Sequence, residues 1–239
     1  MRFHSPRPSL EPEHTWGEGR AGVKVMATTS TSQFGQFYGE SMAASDLRRY
    51  QRKGPRPWTR TLLKALITEG VEGATLLDIG GGIGAIQHEL LAAGVSHATG
   101  VDASAPYLAA AQEESIRRGD ASRTTFLHGD FVELAESVPP ADIVTLDRVL
   151  NVYPEWERLA ALSAQHARRL YGLVYPRDRR SVRFVIFLMN LVLRLRRQPI
   201  RARVHPPEAI GRIASDNGLR LHVSQAVGPV WQVSIYRRI

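Results

Sequence analysis

Apolar residues follow two rhythms along this chain. Between residues 57 and 175, short continuous apolar runs alternate with stretches in which apolar positions recur every three or four residues. "ATLLDI" (74–79), "HATGVD" (97–102), "TTFLH" (124–128), "ADIVTL" (141–146) and "LYGLVY" (170–175) have the length and apolar content of buried strands. "PWTRTLLKALITEG" places Leu62, Leu63, Leu66 and Ile67 on one helical face. "IGAIQHELLAAG" (83–94) and "APYLAAAQEESIRRG" (105–119) also read as helices, each stopped by a glycine. "FVELAES" reads as a short helix, and "PEWERLAALSAQHARR" (154–169) as a longer one with Pro154 at its start. This alternation predicts an α/β, doubly wound, mostly parallel sheet with helices on both faces. The chain closes differently. "LRLHVSQAV" and "PVWQVSIYRR" are joined by Gly228-Pro229, with no room for a crossover helix, which predicts a C-terminal antiparallel hairpin and seven strands in all.

Two segments break the rhythm. Residues 1–33 lack apolar periodicity and are rich in Pro, Gly, Ser and Thr, so they read as a flexible tail. Residues 34–239 then form a single domain, opening with a helical cap over 34–70. The second segment is "RFVIFLMNLVLRLRRQPI" (183–200), apolar around most of a helical circumference and followed by arginines. Its apolar run is too short to span a bilayer. Within 179–203 it predicts a lid-like helix closing a pocket over the strand ends together with the Tyr38–Tyr50 region. Peripheral contact with a membrane surface would suit the same pattern.

Charge and composition narrow the chemistry. The 239 residues contain no cysteine, which excludes disulfides, thiolate metal sites and a cysteine nucleophile. No metal site is expected. The start of the chain carries no secretory pattern, so a cytoplasmic protein is expected. The net charge is +8, and from Arg168 to Arg203 eleven arginines face a single acid, Asp178. Such a surface attracts anions.

The richest chemistry lies in "LLDIGGGIGAIQHEL" (76–90). Glycines after the first strand of a doubly wound sheet let the backbone turn sharply and approach a ligand. Gly80, Gly82 and Ala85 even fit a dinucleotide fingerprint. Asp78 argues against a pyrophosphate there, because its carboxylate would repel phosphates but would favour an ammonium group. Asp102 ends the next strand, where it can accept from both ribose hydroxyls. Asp130 and Phe131, in "HGDF", end the third strand, where they can meet an adenine amino group and ring. Asp130 can equally cap the helix that follows.

The set Asp78-x-Gly80-x-Gly82-x-Gly84, Asp102, Gly129-Asp130 and the Asp142–Leu146 strand resembles class I S-adenosylmethionine-dependent methyltransferases over residues 45–239. "DLRRYQRKGP", "TLDRV" and "LYGLVYPRD" look like bacterial magnesium-protoporphyrin O-methyltransferase-like sequences. The resemblance implies a Rossmann-like sheet and S-adenosyl-L-methionine as cofactor. It implies that Gly80, Gly82 and Gly84 form the loop against methionine and ribose, with Gly81 as part of the turn. Asp78 would hold the ammonium group and Asp102 the ribose. Ala103 and Ser104 would flank the adenine, Asp130 and Phe131 would receive it, and the Leu146 carbonyl would face the ammonium.

Methyl transfer from a sulfonium asks mainly for alignment and exclusion of water, with a base only where the acceptor must lose a proton. No motif identifies a base. Tyr153 and His205 are the catalytic candidates, and Tyr38, Tyr50, Asp147 and Arg148 are candidates on the acceptor side. The expected acceptor is small and hydrophobic or amphipathic. An RNA acceptor would use the basic patches, but aromatic–basic interleaving and an N-P-P-[FY]-type sequence after the fourth strand are missing. Two further readings share the glycine loop: a nicotinamide-dependent oxidoreductase, which Asp78 disfavours, and a catalytically silent cofactor-binding partner subunit. Oligomeric state is not readable.

Overall fold

A computed structural model describes residues 17–19, 23–25 and 37–239. Two short strands, β1 (Gly17–Gly19) and β2 (Val23–Val25), fall within the expected tail; the rest of 1–33 lies outside the described residues. The helical cap is present as α1 (Glu40–Lys53) and α2 (Pro57–Thr68). Then β3 (Thr75–Ile79), α3 (Ala85–Ala92), β4 (His97–Asp102), α4 (Ala105–Arg118) and β5 (Thr124–His128) follow in strict alternation. Next come α5 (Phe131–Leu134), β6 (Ala141–Asp147), α6 (Trp156–His166) and β7 (Ala167–Pro176). The chain ends with α7 (Arg180–Leu195), α8 (Pro207–Asp216) and the hairpin β8 (Leu219–Val227) and β9 (Trp231–Arg238).

The sheet runs β1-β2-β5-β4-β3-β6-β7-β9-β8. Its seven long strands are parallel except for β9, which pairs antiparallel with both β7 and β8. β2 adds to the edge of β5 in parallel, and β1 pairs antiparallel with β2. The strand order reverses between β3 and β6, so the ligand crevice is expected beyond their carboxyl ends.

Burial on both faces explains the unbroken apolar runs. Leu77 packs with Leu146, Tyr171 and Ile210 on one side of the sheet, whereas its neighbour Leu76 packs with Leu62, Leu66 and Ile143 on the other. Local signals fix the element ends. Ser104 caps α4, Gly119 ends it at φ 78°, and Arg117 and Arg118 in its last turn bind Glu114 at 2.6 and 2.8 Å. α6 stops at His166, three residues before the expected end, because Ala167 already pairs with Ala141 in the sheet. The helix α8 was not anticipated, although Ala209, Ile210, Ile213 and Ala214 recur at helical spacing; Ile210 and Ala214 are buried and Ile213 packs beside them.

The lid expectation is corrected. α7 does not cover the Tyr38–Tyr50 region. It is held along one edge, where Val182 and Ile186 pack with Ala202, Val152, Val204 and Val230. Asn190 donates to the Ala202 carbonyl at 2.8 Å and accepts from the Ala202 N–H at 2.9 Å. Apart from half-buried Leu193, its remaining apolar side chains are exposed, Phe187 by 61% and Leu195 by 76%. Among the described residues no helix is long and apolar enough to cross a membrane.

Candidate active site

The carboxyl ends of β3, β4, β5 and β6 converge on a cavity of about 290 Å³. Gly80 and Gly82 form one wall, Asp102 and Ala103 the next, Asp130 and Phe131 the third. Asp147 and Arg148 come from the end of β6, Tyr153 from the loop after it, and Tyr38 from the N-terminal cap. A smaller cavity of about 100 Å³ adjoins it, sharing Gly80, Gly82, Asp147 and Arg148 and adding Asp78, Gly81 and Tyr50.

The glycine loop is shaped by two close approaches. Gly80 sits at φ 64°, and a Cβ there would stand 2.5 Å from Val149 Cγ2. A Cβ on Gly81 would stand 2.6 Å from Asp78 Oδ2 and 2.6 Å from Gln87 Nε2. Gly81 is therefore more than a turn residue: its bare backbone lets the buried carboxylate lie beneath the loop.

Asp78 is 1% exposed and accepts from Thr145 Oγ1 at 2.7 Å and Gln87 Nε2 at 3.2 Å. Burial pushes its pKa up to about 7 against those two hydrogen bonds, with Asp147 and Asp102 adding repulsion. A cationic group in the adjoining cavity would relieve that penalty. Asp102 accepts from the Gly82 N–H at 2.9 Å and from the Ser104 N–H at 2.8 Å. It thereby ties the glycine loop to β4. Burial raises its pKa despite these backbone bonds.

Asp130 caps α5, accepting from the Val132 N–H at 2.9 Å. It also accepts from the Tyr153 hydroxyl at 2.8 and 3.0 Å. The cap and the cavity-facing placement coexist. Tyr153 thus stands against the β5 end of the cavity, and burial with the Asp130 contact pushes its hydroxyl pKa well up. That hydroxyl is a donor, not a ready proton acceptor.

At the other end, Asp147 accepts from Thr59 of α2 and pairs with Arg148 at 3.1 Å. Arg148 adopts φ 64° and its guanidinium lies 5.0 Å from the Trp58 ring centre and 5.8 Å from that of Trp231. The N-terminal cap is linked in by Tyr107, whose hydroxyl donates to Asp46 at 2.8 Å and whose ring meets Tyr38 edge-on at 5.8 Å.

Four expected residues are not at the cavity walls. Gly84 is the left-handed N-cap of α3. Ser104 is a buried cap whose hydroxyl donates to the Tyr38 carbonyl at 2.7 Å. Leu146 is wholly buried within β6, and the adjacent Asp147 reaches the cavity instead. His205 is corrected from catalytic candidate to structural residue: it is 5% exposed, donates to the Leu150 carbonyl at 3.0 Å and stacks on Trp156 at 4.1 Å. Burial lowers its pKa. Tyr50 lines only the smaller cavity, and its hydroxyl is taken up by Glu89 at 2.6 Å and Arg118 at 2.8 Å.

Sequence reasoning missed Met42, Asp46, Tyr107, Val149 and Val152 in the larger cavity and Arg49, Arg56 and Thr59 in the smaller one. These lie on helices or loops where an apolar or polar residue carries no chemical signature. Among the described residues no cluster of His, Asp or Glu could hold a metal.

Comparison with known proteins decides the class. Residues 76–170 match the family model described as a methyltransferase domain. Over these residues the chain carries a methyltransferase domain. Solved structures share its fold. Magnesium protoporphyrin IX methyltransferase from Synechocystis PCC 6803 with bound S-adenosylhomocysteine superposes with a TM-score of 0.68 at 19% identity, covering 87% of this chain and 99% of that one. An O-methyltransferase family protein from Burkholderia thailandensis gives 0.67 at 15% identity, over 86% of this chain and 62% of that one. Mitomycin 7-O-methyltransferase gives 0.62 at 24% identity, over 87% and 61%. No curated protein matches the chain in sequence.

The cavity fits the cofactor of this class. Asp78, a buried carboxylate with no cationic partner among the described residues, borders the adjoining smaller cavity; a second, Asp102, stands at the wall of the larger one; and the glycine cradle would be filled by any Cβ at Gly80 or Gly81.

Proposed function

We propose that this protein transfers the methyl group of S-adenosylmethionine to a small, apolar or amphipathic acceptor. The observation that carries the acceptor class is the wall of the cavity beyond the glycine loop. Met42, Val149 and Val152 line it with the rings of Tyr38 and Tyr153, leaving about 290 Å³ for cofactor and acceptor together before any opening. Such a volume suits a small molecule rather than a folded macromolecule. The fold neighbours include proteins named for methylating a magnesium porphyrin and mitomycin, which supports the same reading.

The cofactor supplies a methyl already activated by positive charge on sulfur. The chain's own task is placement. On this reading Asp102 accepts from the ribose hydroxyls while still holding Gly82. Asp130 accepts from the adenine amino group, with Phe131 beside the ring, and the Tyr153 hydroxyl shares or yields that carboxylate. Asp78 balances the methionine ammonium from beneath Gly81. Tyr38, Met42 and Val152 exclude water from the methyl, and Asp147, held by Thr59 and Arg148, is the carboxylate at the acceptor end. Arg148, fixed between two tryptophans, offers a cation to an acidic group on the acceptor.

The test is methyl incorporation from labelled cofactor into fractions of a cell extract. The label is expected in a small, organic-extractable product. Label recovered in RNA at stoichiometric yield would overturn the acceptor assignment and favour the basic surface as a nucleic-acid platform.

A further inference from the structure

α7 poses a question that methyl transfer does not answer. Eight large apolar side chains along Arg180–Leu195 face solvent, among them Phe184, Phe187, Leu188, Leu191 and Leu195. At 100° per residue they form one broad continuous stripe, and the edge that docks on the domain, Val182 and Ile186, lies behind it. Neither cavity is lined by any residue of this helix. Soluble surfaces rarely leave an apolar stripe of this breadth uncovered.

The charge around the stripe is mostly of one sign, with Asp178 paired to Arg183 at 2.6 Å as the one acid beside it. Arg180 and Arg183 stand at the start of the helix, and Arg194, Arg196, Arg197, Arg201 and Arg203 follow its end, with no acid between Asp178 and Glu208. Arg194, Arg196 and Arg197 are exposed. A second copy of the chain brought face to face would set these clusters against each other. An apolar stripe bordered by arginines instead matches the acyl boundary and headgroups of an anionic bilayer.

We propose that α7 lies in the interface of an anionic lipid membrane, with its apolar stripe among the acyl chains and the arginines at the phosphates. The docking also orients the active site. Val152 packs against the inner edge of α7 and at the same time lines the larger cavity. The wall separating cavity from membrane helix is therefore one side chain thick at that point, which favours an amphipathic acceptor taken up from the lipid phase. Membrane docking stands apart from the methyl-transfer reading, since it requires no cofactor and its test involves none.

The chain has no cysteine, so a single Leu188→Cys variant accepts an environment-sensitive fluorophore without background. With phosphatidylglycerol vesicles the expected result is a blue shift at residue 188 and none at Ile116→Cys, an exposed apolar position on α4. Phe187→Ser combined with Leu191→Ser is expected to weaken vesicle binding by more than about tenfold. Arg194→Ser, Arg196→Ser and Arg197→Ser together should weaken it by about a hundredfold. All the altered residues are exposed, so folding is checked by an unchanged chemical-denaturation midpoint. Equal binding to phosphatidylcholine vesicles would overturn the proposal, as would no binding to either. A dimer in sedimentation that the Phe187→Ser and Leu191→Ser variant dissolves would overturn it too, assigning the stripe to a second copy.

Discussion

The glycine loop and α7 are built on opposite terms. Around the loop, a Cβ at Gly80 or Gly81 would run into Val149, Asp78 or Gln87, and Asp78 and Asp102 have each carboxylate engaged. Along α7 most apolar side chains are left in solvent. Both segments stand out in the sequence, one for its glycines and the other for its apolar density. The difference is that backbone geometry dictates what the loop must look like, whereas an apolar helix states only that something apolar should cover it. The domain core does not cover it.

The largest effects are expected where that contrast is pressed hardest. Leu77, wholly buried in β3, should cost about 2–5 kcal/mol on Leu77→Ala, read as a fall in chemical-denaturation midpoint. Gly80→Ala combines a left-handed backbone with a Cβ driven into Val149 and should cost about 2–4 kcal/mol, with cofactor binding lost in step.

Asp78 gives an effect of intermediate size. Its pKa is about 7 in the folded protein against an ordinary value of 3.8, so between those values the fold holds a proton that the unfolded chain has released. Its contribution to stability is therefore fully present at low pH and is lost as pH rises through about 7. Binding a methionine ammonium favours the carboxylate, so cofactor affinity should rise with pH, by at most about tenfold per unit, and level off above about 7. Asp78→Asn should flatten that profile in calorimetry. A profile of unchanged slope in the variant would show that another group carries the proton.

The smallest effect is expected on α7. Leu191→Ala should shift stability by no more than about 0.5 kcal/mol, because the side chain is already in water. A loss of about 2 kcal/mol or more would mean that the exposed stripe is covered in solution, and the comparison with Leu77 would collapse.

The strands, their parallel order and the antiparallel close were legible because buried strands leave unbroken apolar runs and the final turn is too short for a crossover. The carboxylates at the ends of β3, β4 and β5 were legible for the same reason, since strand ends define the ligand face. What covers α7 was not, because periodicity marks an apolar face without naming its partner. Nor was the fate of His205: a histidine before Pro206 reads alike whether it faces solvent, a ligand or, as here, Trp156 and a backbone carbonyl. Tyr107 and Met42 were missed because aromatic or apolar positions on helices look like core until the fold brings them to a wall.

The central claim is that the β3–β4 crevice is a nucleoside site read by Asp102. Calorimetry with S-adenosylhomocysteine tests it most directly. The wild type should bind it and give no heat with NADH, and Asp102→Ala should lose a charge-assisted contact to the ribose diol, about 2–4 kcal/mol or some thirtyfold to a thousandfold in affinity. Affinity unchanged by Asp102→Ala, or tight NADH binding by the wild type, would contradict the account.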